Sequence, residues 1–125
     1  MKVLHLTLKK KWFDMILSGE KKEEYREIKE YWWMRLVQCG ETCKPYPAPF
    51  EVLPPQEWKM IMPKEYDTVI FKNGYSKNAP EMEVELKEIK IGVPIAEWTD
   101  DDYLKNYFTL SLGKILSTKN IKPIY

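Results

Sequence analysis

Six prolines fall between residues 42 and 65, at Pro45, Pro47, Pro49, Pro54, Pro55 and Pro63, and they decide where regular structure can lie. Proline fixes its own φ, removes a backbone donor and pushes the residue before it out of the helical region. The stretch therefore predicts an extended loop and confines helices and strands to its two flanks. Phe50, Trp58 and Met60 are scattered through it, which suits a lid over a barrel opening, although a plain connector is the commoner use of such a stretch. The whole chain is 125 residues long, the size of one ordinary domain. The loop thus reads as an insertion within a single domain, 1–125. With 44% hydrophobic residues the chain can bury a core, and global disorder is excluded.

The flanks carry two periodicities. Leu4, Leu6 and Leu8 alternate with Val3, His5 and Thr7, the pattern of a half-buried strand over 2–8. From Lys10 the spacing becomes helical, with Trp12, Phe13, Met15, Ile16 and Leu17, and Gly19 supplies a left-handed stop. A second strand is expected at 22–28, with a surface helix as the competing reading. A helix over 30–38 would align Trp33, Leu36 and Val37. Past the prolines, YDTVIFK at 66–72 reads as a strand, Asn73–Gly74 as a turn and 82–91 as the hairpin partner. In that partner the apolar positions slip from Met82, Val84 and Leu86 to Ile89 and Ile91, as at a β-bulge. Thr99 before Asp100, Asp101 and Asp102 predicts a capped helix reaching Asn106. The ending YFTLSLGKIL predicts a last strand. Together these give an α+β fold with a strongly curved or closed sheet.

Charge and cysteine usage remove several classes. No apolar run approaches the roughly 20 residues a membrane span needs, and MKVLHLTLKKK is no signal peptide, so a cytoplasmic protein without a membrane partner is expected. Cys39, Cys43 and His5 are too few for a closed zinc site; neither a metal nor a cofactor is expected, and the cysteines read as reduced. The net charge of +1 hides an asymmetry. Residues 1–44 hold ten Lys/Arg against seven Asp/Glu, whereas 45–125 hold ten against twelve. Any basic surface is N-terminal.

Two groups of residues there point to an anion. Lys9, Lys10 and Lys11 stand at the start of the first helix, where the macrodipole already favours acids, a placement that suits phosphate. Solvated strand-exit lysines are the plain alternative. Arg26 is one of only two arginines beside 18 lysines, and its planar fork fits phosphate or carboxylate, including Glu20 or Glu24 nearby.

Gly19, Lys21, Glu24 and Arg26 spell G-x-K-x-x-E-x-R directly after LHLTL and KWFDMILSG, a string that resembles the signature of ASCH domains. The resemblance is close over 2–28 and looser over 66–72, 82–93 and the final strand. ASCH domains belong to the PUA-like superfamily. The resemblance implies a PUA-like small β-barrel of about five to six strands with two to three short helices. It also implies a cleft that takes RNA or a nucleotide-like small molecule. Lys21 and Arg26 would meet phosphate or a base edge, and Glu24 would orient them or accept from an exocyclic amine. Lys9 and Lys10 would extend the positive rim.

Some ASCH-like proteins are amidohydrolases of acetylated cytidine that use a lysine, a threonine and a glutamate. Lys21 matches that lysine, but Glu24 stands at the threonine position and no acid matches the glutamate, with Glu97 and Asp100–Asp102 only in the corresponding part of the chain. A buried Lys21 beside Glu24 would retain acid–base capacity. A third reading is a protein-interaction module that uses the proline-rich loop and exposed aromatics. Tyr31, Trp32 and Trp33 read either as a base-stacking platform or as core. Glu81, Glu83 and Glu85 read as a solvated sheet edge.

Overall fold

The computed structural model describes residues 2–37 and 63–121. Most of the proline-rich stretch, with Cys39 and Cys43, lies outside them, and so does the lid, connector or interaction role assigned to it. Among the described residues seven α-helices and β-strands follow in order: β1 (Val3–Thr7), α1 (Lys10–Leu17), β2 (Glu23–Arg26), α2 (Glu30–Leu36), β3 (Thr68–Lys72), β4 (Glu81–Gly92) and β5 (Tyr107–Lys119). The strands form one mixed sheet in the order β1-β3-β4-β5-β2, so the fold is α+β as expected.

The alternation in β1 fixes its register. Leu4 and Leu6 lie opposite Val69 and Phe71 of parallel β3, which lie opposite Val84 and Met82 of antiparallel β4. Two transverse apolar rows, Leu4–Val69–Val84 and Leu6–Phe71–Met82, thus form on one face, and all six residues are buried. A slip of one residue in any of these strands would turn its row to the other face. The connection 73–80 closes the β3–β4 hairpin: the Asn73 N–H donates to the Pro80 carbonyl at 2.9 Å, and Gly74 takes φ +100°.

The glutamates of β4 correct the expectation of a solvated edge. β4 lies between β3 and β5, and its odd-numbered acids meet neighbours on both sides. Glu81 pairs with Lys72 at 3.6 Å, and Glu83 accepts from the Thr68 hydroxyl at 2.6 Å. The Glu85 side chain lies across Gly113 of β5, in the space a β-carbon there would occupy. Further along β4, Lys87 and Glu88 are both exposed and burial resumes at Ile89, where the parity of the sequence slips.

The residues divide into two compact units, Met1–Glu24 with Tyr66–Glu88 and Leu110–Tyr125, and Tyr25–Glu65 with Ile89–Thr109. In the first, α1 buries Trp12, Phe13 and Ile16. In the second, Trp33 of α2 meets Phe108 with ring centroids 6.3 Å apart, and the Ile95 N–H donates to the Tyr25 hydroxyl at 3.0 Å. Glu30 and Arg35 sit at the helix ends that the dipole favours. The terminal carbonyls of α2 are taken up by Lys64, whose Nζ reaches Met34 O at 2.7 Å and whose N–H reaches Leu36 O at 2.8 Å.

The helix expected from Thr99 to Asn106 does not form. The Thr99 hydroxyl accepts from the Asp101 N–H at 3.1 Å, and an Asp102 carboxylate oxygen accepts from the Leu104 N–H at 2.9 Å. These local turns satisfy the donors a helix would use, and Tyr103 and Leu104 are exposed, so no apolar stripe rewards a helix. Only a 3-10 turn, Ala96–Trp98, precedes them.

Candidate functional site

The position of Lys21 follows from how α1 ends. Gly19 adopts φ +86°, a conformation that glycine enters without a β-carbon penalty. The reversal lets the Gly19 N–H reach Ile16 O and the Lys21 N–H reach back to Met15 O, both at 3.0 Å. Lys21 is thereby folded back against the end of the helix instead of running into solvent. Its Nζ lies 4.6 Å from the centroid of a Trp12 ring. It also lies 3.1 Å from the Glu24 carboxylate, and the two side chains are only 1% and 5% exposed.

Glu24 arrives from β2, which is held against β5 by the Leu112 N–H donating to Lys22 O at 2.9 Å. A lysine and a glutamate three residues apart across a turn and a strand therefore meet out of water. The arrangement offers ammonium donors, a carboxylate that only accepts, and an indole ring, all within the first unit. The pair presents a donor and an acceptor side by side.

The other residues singled out in the sequence fall elsewhere. Lys9 and Lys10 are exposed at the start of α1. Lys9 is the N-cap and makes no side-chain capping bond, while the Lys10 ammonium pairs with Asp14 one turn on at 2.6 Å. Lys11 places its ammonium 4.4 Å from a Trp12 ring centroid, so two cations of the same unit sit over that indole. His5 is exposed beside Ile70 in the sheet register. Arg26 belongs to the second unit, where Nη1 donates to Tyr25 O at 3.1 Å and the guanidinium lies 5.1 Å from a Trp32 ring centroid. Trp32 is half-buried, Trp33 is buried and Tyr31 is exposed, so the aromatic run divides between core and surface.

Trp12 is the residue that sequence reasoning missed as part of the site. It fits the helical apolar stripe of α1, and nothing in the spacing tells which apolar ring will meet a buried ammonium. Among the described residues no group of three or more His, Cys, Asp or Glu is placed to hold a metal ion, and no helix is long and apolar enough to cross a membrane. No protein-family model, curated protein or solved structure matches the chain.

Proposed function

We propose that the chain is a nucleotide-binding domain of the ASCH type, which reads the edge of a base with Lys21 and Glu24 and holds the base on Trp12. The observation that carries this reading is the buried Lys21–Glu24 pair beside the indole, in the strand–helix–turn–strand context of G-x-K-x-x-E-x-R. Buried ion pairs are weak devices for stability, since apolar residues of similar volume often serve at least as well. In this reading the pair beside the ring serves through its hydrogen-bonding atoms. A donor next to an acceptor complements the edge of a nucleobase, which offers a carbonyl beside an amine or a ring N–H.

The five-stranded mixed sheet is compatible with the PUA-like barrel that the resemblance implies. Base recognition sits inside, and the exposed Lys9 and Lys11 draw phosphate from outside, with Lys10 sharing its charge with Asp14.

The same pair supports a second reading. An ammonium and a carboxylate 3.1 Å apart are placed for proton transfer. In hydrolysis of an amide on an acylated nucleoside the carboxylate would take a proton from the water whose oxygen bonds to the acyl carbon, and the ammonium would give one to the leaving amine as the C–N bond breaks. One experiment separates the two. Nucleoside monophosphates and acylated nucleosides are titrated into the wild-type protein and into Lys21→Met/Glu24→Leu, with release of the acyl acid followed in parallel. Binding without acid release, weakened about tenfold or more in the variant, supports base recognition; acid release that disappears in the variant supports hydrolysis. Equal affinity and no turnover in both proteins would refute the assignment of the site.

A further inference from the structure

The last strand outruns one of its neighbours. β5, with 13 residues, lies between β4, with 12, and β2, with 4. The ladder to β2 opens where the Leu112 N–H donates to Lys22 O, and just before Lys22 the chain is folded back on α1 through the Lys21 N–H. β2 accompanies the buried first half of β5, whereas every residue of 114–119 is exposed. Among the described residues, therefore, no strand lies beside 113–119 on that side. Successive residues of an antiparallel strand turn their backbone groups to opposite edges, so Lys114, Leu116 and Thr118 share the orientation of Leu112 and direct N–H and C=O outward.

An open edge of this kind accepts a further strand. Its side chains say which one. Ile115 and Leu116 are 37% and 54% exposed on opposite faces. Gly113 has no side chain, and the Glu85 carboxylate fills that place, so an acid from β4 stands on β5 next to the open edge. Lys119 lies at the far end of the same face. Neither Glu85 nor Lys119 has an ion-pair partner among the described residues. The other charges on the flanking strands are taken up or balanced: Glu81 by Lys72, Glu83 by the Thr68 hydroxyl, Lys87 beside Glu88, and Lys22 beside Glu23.

Laid antiparallel on the same residues of a second copy, 113–119 are self-complementary. In the register that pairs all of them, Leu116 meets the partner's Leu116 at the two-fold axis. Lys114 falls opposite the partner's Thr118, so no two lysines face each other. Lys119 falls opposite the partner's Gly113, where the partner's Glu85 holds its carboxylate. An edge lysine ordinarily keeps strands apart; here the missing glycine side chain makes it one half of a symmetric ion pair.

We propose that the open edge of β5 pairs with the same edge of a second copy, joining two sheets across a two-fold axis. The contact is built wholly from residues of the first unit and is independent of the nucleotide reading of Lys21 and Glu24. It is isologous, so each pairing counts twice. So few residues a side make a small interface, below about 1,200 Å² in total, and the dimer exchanges with monomer and grows with concentration.

Sedimentation of the full chain over a range of concentrations tests this. The wild type should rise from 15.0 kDa toward twice that mass. Lys119→Glu and Glu85→Lys each set like charges together in both halves of the interface and should dimerise about tenfold more weakly. Mixed in equal amounts the two should regain wild-type association, because each introduced charge then meets its opposite, a rescue that misfolded chains could not give. Leu116→Lys, at the axis, should weaken the dimer to a similar degree with the far-ultraviolet circular dichroism unchanged. A wild type that stays at 15.0 kDa at every concentration would overturn the inference, as would mass that climbs past the dimer. A mixture that associates no better than its components would overturn it too, and so would a Leu116→Lys chain that dimerises like the wild type.

Discussion

Removing one member of the buried pair should be far more damaging than removing both. At 3.1 Å, and with an effective dielectric of about 20, the attraction between Lys21 and Glu24 is worth about 5 kcal/mol. Withdrawing two side chains from water to 1% and 5% exposure costs several kcal/mol for each ion, so the intact pair comes out near balance. Lys21→Met leaves the carboxylate buried without its ammonium, and Glu24→Gln leaves the ammonium buried without its carboxylate. Each should lower stability by about 3–5 kcal/mol, a large part of the roughly 5–15 kcal/mol that a domain of this kind possesses. Lys21→Met/Glu24→Leu removes both charges and fills similar volume, and should fall within about 1 kcal/mol of wild type or exceed it. Urea unfolding followed by tryptophan fluorescence measures all four proteins, with the m-values compared so that only midpoint shifts are read as stability. Single variants within about 1 kcal/mol of wild type would mean that the pair is solvated. A double variant as unstable as the singles would mean that the two side chains hold the turn by shape or by further hydrogen bonds. Either result would remove the physical ground for treating the pair as kept for ligand recognition.

Two further outcomes follow from single residues. Burial, with the charges of Asp101, Asp102 and Glu27 adding to it, raises the Tyr107 phenol above its ordinary value of 10.0. The native state therefore holds this proton more tightly than the unfolded chain, so the stabilisation is whole below pH 10 and is lost as pH rises through the native value. Alkaline unfolding should be shallower in Tyr107→Phe than in wild type, and phenolate absorbance should reveal one tyrosine fewer titrating late; coincident unfolding curves would refute this. Gly19→Ala puts a β-carbon on a residue at φ +86° and should cost about 1–2 kcal/mol, while Glu20→Ala in the same turn should stay within about 0.5 kcal/mol. Thermal or urea midpoints decide it, and an undisturbed Gly19→Ala would mean that the turn does not need the left-handed conformation.

What the sequence revealed and what it hid have separate physical causes. β1, α1 and the β3–β4 hairpin were legible because the burial of Leu4, Leu6, Trp12, Ile16, Val69 and Met82 follows the strand or helix period directly. The Glu81–Glu85 row was misread because alternation reports the two faces of a strand and says nothing about which strands lie beside it. Thr99–Asp102 looked like a helix cap since the same side-chain oxygens serve caps and isolated turns. At the site, the string supplied Lys21 and Glu24, but their burial and the partnership with Trp12 depend on the chain reversal at Gly19, which brings together residues that periodicity treats separately.

The strand order has a kinetic consequence. β3, β4 and β5 are neighbours both in the sheet and along the chain, whereas β1 joins β3 across some sixty residues and β2 joins β5 across some eighty. Closing such long segments is slow compared with forming adjacent hairpins. The β3–β4–β5 meander can therefore assemble while the N-terminal segment is still loose. That segment carries both outer strands of the sheet and α1 between them, so its capture completes two edges at once. The same segment carries the Lys21–Glu24 pair, so withdrawing that pair from water belongs to the closing step.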